Sequence, residues 1–422
     1  MSKYCISIIG LGYVGLPLAL SFAKKFNIIG IDNNKKRIQE LIKNYDRTGE
    51  VGSLDLKKNQ NKIKFTSQYT SIKYSNIIIV TLPTPIFKNK KPNLNILKDA
   101  CKKIGQNIKK NDLVIFESTV YPGATRSIFI PIIEKYSKFK LNFNFFCGYS
   151  PERINPGDKK HNIRNVSKIV SGSNTKTLNL IAKIYSKIIN AKIYKAPSIE
   201  VAEAAKVIEN CQRDINVAFM NELSIIFNKL NLNTNEIIKA ASTKWNFLNF
   251  KPGLVGGHCI GIDPYYLTYV SNKVGYTPEI ILSGRRVNDN MGKEITKRII
   301  TTLKQNKASI EKTKFLILGF SFKENCNDIR NTKVYDIYKN LKHKGGKIHV
   351  FDPLVDSVTV KKEYNINMLK KPKNHYYDVI IIAVSHNFFI NKGFENIKQY
   401  GKSKALIFDI KNIFPEKKLL YL

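Results

Sequence analysis

Tyr4-Cys5-Ile6-Ser7-Ile8-Ile9-Gly10-Leu11-Gly12-Tyr13-Val14-Gly15, a run over 16–26 with helical apolar spacing, and then Ile28-Ile29-Gly30-Ile31-Asp32 decide the fold. Read in order, these are a strand, a GxGxxG turn, a helix, a second strand and an acid, the layout of a dinucleotide-binding βαβ unit. Gly10 permits the tight turn, Gly12 lets backbone approach a pyrophosphate, and Gly15 lets the helix pack close to the strand. The N–H groups of the helix start, after Tyr13 and Val14, then face the phosphates. Asp32 can accept both ribose hydroxyls, and its charge repels a 2′-phosphate, so the expected cofactor is NAD rather than NADP. Lys35, Lys36 and Arg37 temper that preference without reversing it, and Arg37 joins the cofactor-binding candidates.

Further β-rich runs extend the unit outward. The run 76–81 ends in Leu82-Pro83-Thr84-Pro85, and 113–116 ends in Glu117-Ser118-Thr119-Val120-Tyr121-Pro122-Gly123. Ligands of open parallel sheets lie beyond the carboxyl ends of the strands. Thr81, Pro83, Thr84, Ser118 and Thr119 are therefore candidates to line the nicotinamide side. From about 198 the pattern turns helical, with a stretch over 200–230 free of Gly and Pro. Val201, Ala205, Ile208, Ile215 and Phe219 form one apolar stripe on it, and Val207, Cys211 and Ala218 suggest a second. A helix apolar on two sides joins domains or subunits. After a polar linker over 304–314, Phe315-Leu316-Ile317-Leu318-Gly319 begins a second α/β unit without a GxGxxG. The expected fold class is α/β: two Rossmann-like doubly wound domains, 1–197 and 305–422, joined by a central helical domain, 198–304, with one long helix.

Of the 422 residues, 70 are Lys or Arg and 32 are Asp or Glu, formally +38. Such a balance suggests nucleic acid or an anionic membrane. Only ten of the cations are Arg, the residue that base and phosphate forks favour, and the Lys pairs are spread along the chain with no block of five or six. Compositional bias with solvated Lys faces is the expectation, with neither nucleic acid nor membrane insertion, and a basic polyanion binder is the non-enzymatic alternative. Cys5, Cys101, Cys147, Cys211, Cys259 and Cys326 lack metal-type spacing, so no metal site is expected. Free thiols and the lack of an apolar run of about 18 residues point to a soluble, reducing, cytoplasmic setting.

The chemistry concentrates in Lys251-Pro252-Gly253-Leu254-Val255-Gly256-Gly257-His258-Cys259-Ile260-Gly261-Ile262-Asp263. Glycine-rich backbone suits close approach to a ligand, and a thiol and a carboxylate sit in it four residues apart. His258 adjoins the thiol and is read as a structural or substrate-contacting residue. On the long helix Lys206 and Asn210 share a face, with Glu203 one turn before. An inward Lys there could stabilise an oxyanion or, desolvated, act as an acid or base.

GLGYVG, TLPTP, ESTVYPG, SPERINPGD, EAAKVIENCQRDIN, GLVGGHCIGIDPYYL, GFSFKENCNDIRNTK and DIKN, in that order, run from residue 10 to residue 412. By these motifs the chain resembles the UDP-glucose/GDP-mannose 6-dehydrogenases, most closely the branch oxidising UDP-N-acetylhexosamines for Vi-type capsules and O-antigens. The resemblance implies a four-electron oxidation of the sugar 6-hydroxyl, through a Cys thiohemiacetal and thioester, consuming two NAD. It implies Cys259 as nucleophile, Lys206 and Asn210 at the oxyanion, Asp263 positioning or activating water, and Thr119 and Glu152 assisting through water. Lys323 and the 247–257 loop, including Phe247, Phe250 and Gly256, would hold the UDP-sugar, with His258 after it as a further contact. Arg330 would reach the NAD, and the subunits would pair as a homodimer.

Two departures bear on the sugar. Arg153 follows Glu152, with Asn155-Pro156-Gly157 where UDP-glucose members carry a second acid, and Ile262 stands where they carry a Lys beside the Asp. Both changes point to an N-acetylated sugar, with Arg153 and Arg213 recognising the 2-substituent or the phosphates. UDP-GlcNAc and UDP-GalNAc remain equal readings, with UDP-N-acetylmannosamine or UDP-glucose as alternatives. An ordinary two-electron dehydrogenase of β-hydroxyacid type, needing no Cys, is the alternative of another class.

Overall fold

The computed structural model describes residues 4–154, 163–258, 260–417 and 419–420. Cys259 and the Asn155-Pro156-Gly157 segment fall outside them. The chain divides into two compact units, Met1–Glu209 with Tyr265–Tyr276, and Asn210–Pro264 with Thr277–Leu422. The segment expected as a helical middle, 198–304, is thereby shared between the two.

The first unit is built on β1 (Cys5–Ile9), β2 (Asn27–Ile31), β3 (Ile63–Thr66), β4 (Ile77–Val80), β5 (Asp112–Phe116), β6 (Phe145–Tyr149), β7 (Lys168–Gly172) and β8 (Ile193–Lys195). Their order is β3-β2-β1-β4-β5-β6-β7-β8. All neighbouring pairs are parallel except β6 with β7. Order reverses between β1 and β4, and the loops beyond both strands open there, where a dinucleotide binds in this topology. The central strands are apolar on both faces because helices cover both. Ile6, Ile8, Ile77, Ile79 and Ile115 join one buried cluster, while Ile9, Ile78, Val80 and Val114 are buried on the other face.

The second unit carries β9 (Lys314–Leu318), β10 (Lys347–Phe351), β11 (Tyr377–Ile382) and β12 (Gly401–Asp409), all parallel in the order β10-β9-β11-β12. Side chains alternate across its pleat. Phe315, Ile317, Val379 and Ile381 pack into one core and Leu316, Leu318, Ile380 and Ile382 into another. The sheet is thus covered on both faces, as in the expected doubly wound form, but with four strands.

The helix Ile199–Lys229 has 31 residues, about 46 Å at 1.5 Å per residue. The second expected stripe, Val207, Cys211 and Ala218, is buried. The first faces outward: Val201, Ile208 and Phe219 are exposed, and Ala205 and Ile215 half-buried. The buried side also carries Glu203, Asn210, Asp214, Asn221 and Ser224. This helix thus mixes polar and apolar side chains inward while keeping an apolar stripe outward, unlike an ordinary surface helix. The helix Asp263–Lys273, unmarked by any sequence signal we read, starts at the end of the glycine-rich loop. Among the described residues no helix is long and apolar enough to cross a membrane.

Candidate active site

In the first unit the glycine turn is held from several sides. Gly10 has φ +95°, a left-handed conformation that favours glycine. A Cβ at Gly15 would lie 1.8 Å from the Gly10 carbonyl oxygen, whereas one at Gly12 would meet nothing within 4 Å. Gly10 and Gly15 therefore serve the turn and the packing expected of them, and the space beside Gly12 is open. Thr81 Oγ1 donates to the Gly10 carbonyl at 2.7 Å, tying the end of β4 to the turn. Leu11 is gripped at both ends: its N–H donates to Asp32 Oδ2 at 2.9 Å, and its carbonyl accepts from Arg37 Nε at 3.0 Å. Arg37 is buried and paired with Asp46 at 2.7 Å. Its guanidinium braces the turn from within, a different task from the direct cofactor contact expected of it. Asp32 is half-buried beside the turn, its Oδ1 also accepting from Asn34 N–H at 2.9 Å. This set fits a dinucleotide with free ribose hydroxyls.

Beyond the other strand ends, Ser118 is buried, Thr84 and Thr119 are half-buried and Pro83 is exposed. Glu203 on the long helix accepts from Gly123 N–H at 2.6 Å and Thr125 N–H at 2.9 Å, anchoring the segment that carries Thr119. Burial pushes its carboxyl up to about 7, against the pull of those two donors.

Glu152 belongs to a buried charge cluster that sequence reasoning missed. Lys168, the first residue of β7, points its Nζ to Glu117 Oε2 at 2.8 Å and to Glu152 Oε2 at 3.3 Å. Tyr185 OH donates to the other Glu117 oxygen. Burial pulls the Lys168 ammonium down, but the two carboxylates outweigh it and hold it protonated. Glu152 Oε1 accepts from Arg153 and Ile154 N–H at 2.6 and 2.8 Å, so the carboxylate is fixed at both oxygens. Arg153 itself pairs with Glu209 at 2.8 Å and donates to the Ser167 carbonyl at 2.9 Å. Its guanidinium thus has protein partners on both terminal nitrogens. Lys206 and Arg213 are both half-buried on the long helix.

In the second unit Asn210 Nδ2 donates to Asp263 Oδ2 at 2.5 Å, both residues buried. The structure so brings together two of the expected catalytic residues at the end of the glycine-rich loop. Mid-loop, Gly257 N–H donates to the Arg330 carbonyl at 3.2 Å, and Asn331 Nδ2 donates to the Gly257 carbonyl at 3.1 Å. Burial, with Arg330 adding to it, pulls His258 down to about 4, so its imidazole is neutral at pH 7. The Arg330 guanidinium is forked onto Asp328, with Nε 2.8 Å from Oδ1. Phe247 and Phe250 are half-buried, and Trp245 between the helix and the loop is 92% exposed. Lys323 lines a cavity beyond the carboxyl ends of β9 and β11, together with Leu254, Lys333 and Lys411. Lys411, from the DIKN motif, is pulled down by burial, with Glu324 opposing.

Ser321, His386 and Asp352 lie beside this cavity and mimic a hydrolase triad. His386 Nδ1 accepts from Asn325 N–H at 2.9 Å, so Nε2 carries the proton and gives it to Asp352 at 3.1 Å. No ring nitrogen remains to deprotonate Ser321, whose hydroxyl donates to the Lys323 carbonyl at 2.8 Å. The trio is a brace, not a nucleophile–base pair.

The models of the NAD binding, central and UDP binding domains of the UDP-glucose/GDP-mannose dehydrogenase family match residues 4–189, 200–290 and 316–416. The chain belongs to this family. It is an NAD-dependent nucleotide-sugar dehydrogenase. The UDP-N-acetyl-D-glucosamine 6-dehydrogenase of Salmonella typhi is 50% identical to it over 410 residues, 97% of this chain and 96% of that protein. Protein CapL of Staphylococcus aureus is 48% identical over 417 residues, 98% and 97% of the two chains. The structure of UDP-D-ManNAc dehydrogenase from Pyrococcus horikoshii matches with a TM-score of 0.88 at 26% identity, covering 99% of this dehydrogenase and 98% of that chain.

Proposed function

We propose that this dehydrogenase oxidises the 6-hydroxyl of a UDP-N-acetylhexosamine, UDP-GlcNAc or UDP-GalNAc, to the uronic acid for surface polysaccharide synthesis. The observation that carries the reading is the 50% identity, across 97% of the chain, to an enzyme named for UDP-N-acetyl-D-glucosamine, against 33% to one named for UDP-N-acetyl-D-mannosamine. NAD bound at the glycine turn supplies the acceptor for a hydride in each of two oxidations. Between them the Cys259 thiolate adds to the 6-aldehyde as a thiohemiacetal, whose oxidation leaves a thioester. Water then cleaves the thioester, releasing the carboxylate and the thiol. Asn210 and Lys206 stabilise the oxyanions, Asp263 orients the water, and Thr119 and Glu152 act through water. In this reading 1–197 takes the NAD, 305–422 takes the UDP through Lys323, and 198–304 supplies the chemistry.

NADH absorbance during limiting turnover of a UDP-sugar panel tests both parts. Two NADH per UDP-GlcNAc or UDP-GalNAc, with uronate as product, is the expected result. One NADH per sugar overturns the four-electron route, and faster turnover of UDP-N-acetylmannosamine overturns the sugar assignment.

We further read the outward apolar stripe of the long helix as a homodimer surface. Light scattering is expected to give twice the 48.2 kDa chain mass and to fall to one chain mass in Phe219→Glu. A wild-type mass of one chain overturns it.

A further inference from the structure

We propose that Asn221, backed by Asn288, is a positioning residue for the glycine-rich loop and through it for Cys259, an inference that rests on reading Cys259 as the nucleophile. The Asn221 amide grips one residue, Gly253, by both its N–H and its carbonyl. Its Oδ1 accepts from Gly253 N–H at 2.8 Å, and its Nδ2 donates to the Gly253 carbonyl at 3.0 Å. The second Nδ2 proton goes to Asn288 Oδ1 at 2.8 Å. Asn288 in turn donates to Asp214 Oδ1 at 2.7 Å and to the Asp214 carbonyl at 2.9 Å, and Arg285 pairs with Asp214 at 2.6 Å. Asn221, Asn288, Asp214 and Arg285 are all buried. Both Asn221 donors and its acceptor are thus engaged, and no other side chain of that size reproduces the pattern.

The far end of the loop is held through a side chain, Asn210 Nδ2 donating to Asp263 Oδ2. Asn210 and Asn221 are eleven residues apart on one helix, three turns, so they share a face about 16 Å apart. The loop from Gly253 to Asp263 is therefore fixed at each end to a single rigid element. Its glycines offer little side-chain packing of their own, so these grips, with the bonds of Gly257 to Arg330 and Asn331 at mid-loop, set where its backbone lies. Helix packing alone would be met by an apolar residue at 221; an asparagine bonded to both the N–H and the carbonyl of Gly253 points to placement of that residue.

The test compares Asn221→Ala and Asn221→Asp with wild type at a temperature well below the variants' Tm. Misplacing a reacting group by about 1 Å costs about 10²-fold in rate. The expected result is a kcat tenfold to a hundredfold lower with KM for NAD unchanged. Ile299→Val, a mild core change in the same unit, keeps the wild-type kcat. A merely structural role would lower Tm and leave kcat alone; folded Asn221 variants with wild-type kcat overturn the proposal. Asn221→Asp keeps the acceptor and the side-chain size, and Asn288→Ala loosens Asn221 without touching the loop, so the question stays answerable if Asn221→Ala does not fold. Uronate formation by Cys259→Ser at the wild-type rate would mark failure of the nucleophile reading instead.

Discussion

Cys259→Ser is expected to lower uronate formation by about 10³-fold or more, with NADH yield dropping from two per UDP-sugar to at most one. A serine hydroxyl is almost entirely protonated at neutral pH and adds weakly to an aldehyde; a thiol is partly ionised and forms an acyl intermediate that water cleaves. His258, held down to about 4, is neutral at pH 7, so an imidazolium–thiolate pair is not the means of activation. Among the described residues no cysteine is in a disulfide, and Cys101, Cys147 and Cys211 are buried, with burial raising each of their thiols. Quenched-flow analysis of products, alongside NADH counting, checks the expectation. Wild-type uronate production by the variant would exclude the thioester.

Lys168→Met is expected to cost about 3–5 kcal/mol of stability, the range for removing one partner of a buried ion pair. The ammonium neutralises a fully buried Glu117 and a nearly buried Glu152, and without it two carboxylates lie together in a largely buried site. Urea unfolding of the first unit's signal at pH 7 measures the loss. The double variant Lys168→Met/Glu117→Gln is expected to recover part of it, because the Gln oxygen still accepts from Tyr185 and one uncompensated charge is gone. A single variant within about 1 kcal/mol of wild type would show that Lys168 is not the counter-ion.

The nucleotide turn was legible because every constraint on it is local. Strand, glycines, helix and acid fall within 29 residues, and the structure uses Gly10 and Gly15 for the reasons their chemistry suggests. The two α/β sheets and the long helix were legible from apolar periodicity for the same reason. Lys168 was not. It lies among 60 lysines, and nothing in the chain near it says that Glu117, 51 residues earlier, closes on it. Asn221 and Asn288 were hidden in the same way, each an asparagine in an asparagine-rich chain whose partner is 32 or more residues distant. Arg37 misled in the opposite sense. Its place beside the ribose-binding acid suggested an outward contact, and only its pairing with Asp46 shows that it turns inward. The helix Asp263–Lys273 escaped because its three tyrosines break the apolar periodicity, leaving the Asp-Pro start as the sole signal.

The two asparagines that hold the loop make the long helix a measuring rod. Each residue inserted or deleted between 210 and 221 would rotate one asparagine by about 100° relative to the other and shift it by about 1.5 Å along the axis. The side chains in that interval can vary as packing permits, but its residue count cannot change without losing one of the two grips. Length, more than identity, is what the interval encodes.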